Sequence, residues 1–170
     1  MLVLPQFFTG RAAGTYVFRM YHILLFLHSW GRWFVLGTGL LAVFRAYGGW
    51  TGRRPFTKGD NGVSAAFSGF MWLQVLVGLG LYFGNGPWGL NGLKQMGMKD
   101  PTARFFGMEH VAVMIIAAIL AQVGRIALKK APSDTLKHKK AFIYFGIALL
   151  LVLLMIPWGI WNPARPLFRS

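Results

Sequence analysis

The sequence predicts an all-α integral membrane protein, a bundle of four transmembrane helices, and three observations carry that reading. Of its 170 residues, 55% are hydrophobic and 13% charged, against roughly 25% charged in ordinary soluble domains. The apolar residues gather into four runs, each long enough for a helix rising about 1.5 Å per residue to cross ~30 Å of hydrocarbon. Segments rich in glycine, proline and basic residues separate the runs. In lipid each span must satisfy its own backbone N–H and C=O groups, which selects helices over strands.

The first run covers 18–46 and follows an N-terminal extension, 1–17. The extension opens MLVLPQFFTGRAAG; its apolar stretch is short, carries Pro5 and has no basic lead. It does not read as a cleaved signal peptide, so the first span is the expected insertion signal. The second run, 63–84, comes after AYGGWTGRRPFTKGDNG. The third, 104–128, comes after NGPWGLNGLKQMGMKDPT, where Asp100-Pro101-Thr102 has the chemistry of a helix start. The fourth, 140–161, follows the basic turn KKAPSDTLKHKK and leaves a tail, 162–170.

The net charge of +14 does not point to nucleic acid. The cations sit at the ends of apolar runs, and no recognition motif accompanies them. Membrane lipid and neighbouring membrane-protein subunits are the expected partners. Ten Lys and Arg flank the turns after spans one and three: Arg45, Arg53, Arg54, Lys58, Arg125, Lys129, Lys130, Lys137, Lys139 and Lys140. Seven lie on the other side: Arg11, Arg19, Lys94, Lys99, Arg104, Arg165 and Arg169. The positive-inside rule then sets both termini on the outer, periplasmic side of a bacterial inner membrane.

The chain has no cysteine, which excludes disulfides, Cys-ligated iron–sulfur clusters and haem attached through C-x-x-C-H. No hydrolytic or transferase motif is present. At most this is a redox subunit.

Ionisable side chains within spans are expensive and mark function by default. They are His22, His28 and Arg32 in span one, with Glu109 and His110 in span three; Gln74 and Gln122 add neutral polarity. His28 lies 17 residues before Arg45, while His110 lies 15 before Arg125 and 19 before Lys129. The two imidazoles are therefore level in the membrane. His110 shares a helical stripe with Met114, Ala117 and Ala121, and His28 shares one with Arg32, Val35 and Gly39. Stripes ending in small residues face other helices. Two level histidines on facing helices make the minimal axial ligand pair for one b-type haem, so His28 and His110 are the candidate metal ligands. The alternative is that they bond each other, or Glu109, as interhelical polar contacts.

Arg32 lies a turn deeper than His28. Glu109, the one carboxylate within a span, is its expected ion-pair partner, and both are candidate cofactor-binding residues for haem or for a quinone. Trp30, Trp33, Phe34, Phe105 and Phe106 supply aromatic walls, and Arg19 or Arg104 could pair with haem propionates. His22 reads as a surface residue and His138 as a solvated or lipid-facing one. Tyr47, Trp50, Trp88, Trp158 and Trp161 fit an interfacial belt.

LHSWGRW, GRRPFTKGD, FFGMEHVAVMIIA and LLLMIPW occur in this order over roughly 20–160. In these the chain resembles small bacterial four-helix membrane proteins labelled cytochrome b-like. The resemblance implies haem and a redox role; residues 1–17 have no counterpart in it. Four-helix di-haem cytochromes use two histidine pairs, whereas helices two and four here carry no intramembrane histidine, so one haem is the upper limit. The leading expectation is a haem-binding electron-transfer subunit of a larger complex. The others are a non-catalytic accessory subunit of a respiratory or photosynthetic complex, and a quinone-binding protein.

Overall fold

The computed structural model describes residues 9–84 and 86–158, with side chains from Arg19 onward. Helix α1 is Thr9–Thr51, α2 is Lys58–Phe83, and α3 is the short Leu90–Met96. Helix α4 is Pro101–Lys129, interrupted by a π-turn at Phe105–Glu109, and α5 is Asp134–Met155. No strand occurs among the described residues. The 1–8 part of the N-terminal extension, Trp161 and the 162–170 tail lie outside them.

Local chemistry explains the helix starts. At α2, Thr57 Oγ1 accepts from the Asp60 N–H at 3.2 Å while Asp60 Oδ2 accepts from the Thr57 N–H at 2.9 Å, a reciprocal capping box. Asp100 caps α4 by accepting from the Ala103 N–H at 2.7 Å, with Pro101 in the first turn, as the sequence predicts. Ser133 caps α5. That helix stops at Met155, ahead of the apolar segment's end, because Pro157 disfavours helical backbone at Ile156.

Among the described residues three helices, α2, α4 and α5, are long and apolar enough to cross a membrane. Their apolar side chains point outward: Leu73, Leu76, Ile116 and Leu150 are all exposed. The interior is made of small residues instead, Ala117, Ala118 and Ala121 of α4 against Ala141 and Ala148 of α5, with Phe67 set edge-on to Phe145. This inversion is what lipid as solvent requires. Helix α1 packs between α2 and α5, and α4 closes the ring against both.

Gly39 shows how closely the helices approach. A Cβ there would sit 2.8 Å from the Phe67 ring and 3.0 Å from Leu149. Gly39→Val is expected to push α1 outward and to cost about 1–3 kcal/mol, the usual range for overpacking, read as a lower unfolding midpoint in detergent.

His138 corrects an expectation. Read from the sequence as a solvated or lipid-facing side chain, it is fully buried. Its ring lies 5.0 Å from that of Phe56 and leaves no room for a Cβ on Gly49. Because α5 starts at Asp134, His138 already lies on the helical face of Ala141 and Phe145, which points inward.

Candidate functional site

At the α3 end of the bundle the helices leave a cavity of about 160 Å³. Val35, Val75, Val111 and Ile115 contribute to its apolar walls, while His28, Ser29, Arg32, Gln74 and His110 are among its polar lining residues. The two histidines face each other with ring centroids 6.2 Å apart and planes inclined at 67°. The stripes predicted to turn them inward do so: Val35, Ala117 and Ala121 are all buried.

Helix α4 aims His110 through its π-turn. The His110 N–H bonds back five residues to the Phe105 carbonyl, which shifts the phase of everything after it. Gly107 makes room for this turn. A Cβ there would lie 2.8 Å from that of Leu93, so α3 can seat directly on the turn. The ring is fixed by His110 Nδ1, which donates to the Met155 carbonyl at 2.9 Å. That carbonyl is available because α5 ends there, leaving its last C=O groups without helical partners. Donation from Nδ1 leaves Nε2 of the neutral ring as a lone-pair donor.

On α1, Gln74 Nε2 reaches across from α2 to the His28 carbonyl at 2.6 Å. Gly31 makes space for the Gln74 amide, since a Cβ there would overlap its oxygen. Gly78 does the same for the His28 ring, whose Cε1 would be 3.0 Å from an added Cβ. Nδ1 of His28 is buried with no hydrogen-bond partner. Metal–imidazole bonds run about 2.0–2.1 Å, so a metal held from both sides separates two ring centroids by about 6 Å once the ring radii are added. The observed centroids are 6.2 Å apart, close to that figure, with the rings inclined edge-on. No group of three or more His, Asp or Glu gathers among the described residues. Two imidazoles alone would hold a metal only where further ligands complete its coordination.

The chain matches no protein-family model, no curated protein and no solved structure.

Glu109 is not where the sequence reading put it. It does not line the cavity, and it pairs with Arg104, whose Nε donates to Oε1 at 2.7 Å, rather than with Arg32. The π-turn is the reason, because its wider winding brings residues five apart onto one face. Arg32 lines the cavity and lies 5.1 Å over the Trp33 ring. Arg104 is engaged by Glu109, and Arg19 is exposed. Of the expected aromatic walls, Phe105 and Phe106 lie 5.7 and 6.2 Å from the His110 ring, whereas Trp30 and Phe34 are exposed and Phe34 stacks on Phe70. Trp88, expected in an interfacial belt, lines the cavity. His22 is exposed, as predicted. Gln74 was visible as an intramembrane polar residue, but its bond to the His28 backbone was not. Tyr21, Tyr82, Gly78 and the Met155 carbonyl carried no sequence signal beyond residue type.

Proposed function

We propose that the chain is a b-type haem-binding membrane subunit that passes electrons within a larger complex, with His28 and His110 as the axial ligands. The observation that carries this reading is the imidazole pair meeting across the bundle with ring centroids 6.2 Å apart. The reading includes α1 as a fourth span and likeness to the bacterial cytochrome b-like group. The excess of Lys and Arg at the α4–α5 end argues for that end being cytoplasmic and both termini periplasmic in an inner membrane.

A bound b-type haem supplies reversible one-electron chemistry at its iron. The chain's own residues do the rest. Met155 orients His110, Gln74 holds the helix turn that bears His28, and the apolar walls exclude water. Arg32 sets a positive charge at the cavity wall that favours an electron-rich occupant. The test is the visible spectrum of protein purified from haem-replete cells and reduced with dithionite. A b-type α band is expected; a colourless preparation rejects the proposal. Gly78→Val should displace the His28 ring, shifting that band or the ligand-field signals while protein yield stays within about twofold, because the added methyls enter a cavity wall rather than the packed core.

Two other readings each have an observation in their favour. A porphyrin is larger than the cavity and requires its walls to part, whereas a quinone head group needs less room. In that case Arg32 would contact a carbonyl oxygen, and Arg32→Gln would abolish quinone-dependent turnover. The accessory-subunit reading is favoured by the bond from His110 to the Met155 carbonyl, which ties α4 to α5 without any cofactor.

A further inference from the structure

The end of the bundle opposite the cavity carries ten cations, Arg45, Arg53, Arg54, Lys58, Arg125, Lys129, Lys130, Lys137, Lys139 and Lys140, and two carboxylates, Asp60 and Asp134. Both carboxylates are engaged, Asp60 by Arg45 and Arg54 and Asp134 by Lys137. Lys139 has no carboxylate partner among the described residues, and its ammonium lies 5.6 Å over the Trp50 ring. Beneath it, Trp50 and Tyr47 of α1 both contact Phe142 of α5, at 5.7 and 5.4 Å between centroids. This ladder bridges the seam between the two helices. Phe44, 77% exposed, lies one turn before Tyr47 on α1, further from the charged end, and Ile143, next to Phe142 on α5, is also exposed.

We propose that this seam binds an anionic phospholipid, its phosphate against Lys139 and the Trp50 indole and its acyl chain along Tyr47, Phe142 and Phe44. Three features argue for that occupant. The charge is complementary, since the cations there outnumber the acids and those acids are taken. Aromatic rings with polar edges, Tyr47 and Trp50, stand in the last turns of α1 beside the charged end, the kind of position Trp and Tyr favour where headgroup meets hydrocarbon. Below the Tyr47 hydroxyl the surface is apolar, with Phe44 and Ile143 exposed and Phe142 half-buried, which fits an acyl chain and offers a free phosphate nothing. A lysine near an anionic leaflet favours such lipid by about fivefold. The site is independent of the cavity at the other end, so it stands or falls apart from the haem reading.

The experiment uses the full chain in phosphatidylcholine vesicles containing a fifth of either brominated phosphatidylglycerol or brominated phosphatidylcholine. The Trp50 signal is taken as the fluorescence difference between the wild-type chain and Trp50→Phe. Brominated phosphatidylglycerol should quench that signal several-fold more than brominated phosphatidylcholine. Lys139→Gln should bring the two within about 1.5-fold, and millimolar inorganic phosphate should leave the preference intact. Equal quenching in the wild type, a preference that survives Lys139→Gln, or its loss to inorganic phosphate would each overturn the proposal. Should Trp50→Phe fail to fold, native mass spectrometry of the wild-type and Lys139→Gln chains in mixed lipid gives the same decision. Retained phosphatidylglycerol that falls several-fold in the variant supports the seam, and unchanged retention rejects it.

Discussion

Under the proposed haem ligation, His28→Ala and His110→Ala are each expected to remove the b-type spectrum, with haem occupancy falling by about tenfold or more, since either change would take away one of the two proposed ligands. Their effects on stability should differ. His110 Nδ1 donates to the Met155 carbonyl at 2.9 Å, so His110→Ala also breaks an interhelical hydrogen bond, worth about 0.6–2 kcal/mol in a membrane setting. His28 Nδ1 has no hydrogen-bond partner, and the Gln74 bond goes to the His28 backbone, which alanine retains. His28→Ala should therefore destabilise the cofactor-free chain less than His110→Ala does. The stability difference is common to ligation and polar glue, so the colour is what separates them. Ligation predicts equal loss of colour and unequal loss of stability, while glue predicts no colour to lose and the same inequality. Free imidazole added to either variant should restore part of the absorbance, because the vacated space adjoins an existing cavity. Retained colour in both variants would assign the iron to other residues.

What the sequence revealed and what it hid divide along a physical line. The facing histidines were legible because depth and helical phase follow from counting residues to flanking cations and to small-residue stripes; His110, Ala117 and Ala121 kept the predicted face. The cap at Asp100-Pro101 was legible because it is local chemistry. Glu109 was misjudged because the π-turn before His110 depends on α3 seating against Gly107, a contact between segments that no regular period of α4 encodes. His138 was misjudged because its lysine neighbours suggested exposure, whereas the Ser133 cap had already set its phase inward. The partner of His110 was hidden for a third reason. It is a backbone carbonyl, released because Pro157 ends α5, and no side chain announces it.

Asp60→Ala should give the largest loss of stability at the opposite end of the molecule, about 2–3 kcal/mol in detergent unfolding. Asp60 is buried and accepts five hydrogen bonds: from Arg45 at 3.0 Å, twice from Arg54 at 2.8 Å, and from the Thr57 N–H and hydroxyl at 2.9 and 2.7 Å. The paired bonds from Arg54 are the bidentate form, and their hold on the guanidinium raises its pKa above the ordinary arginine value. Alanine would leave two guanidinium groups side by side without a counter-charge and would remove half of the α2 capping box. Breaking a fully buried pair costs about 3–5 kcal/mol. The cost here is lower because the Arg45 and Arg54 side chains remain 37% and 34% exposed and can rehydrate. Asp60→Asn should fall between, since an amide oxygen still accepts from the Thr57 N–H while the charge is lost. Arg54→Ala should cost more than Arg45→Ala, because Arg54 also donates to the Arg45 carbonyl and so secures the last turns of α1. The b-type spectrum expected under the haem proposal should be unchanged in all four variants, as none of these residues lines the cavity. Wild-type stability in Asp60→Asn would mean that the capping geometry, rather than the ion pairs, holds the α1–α2 turn.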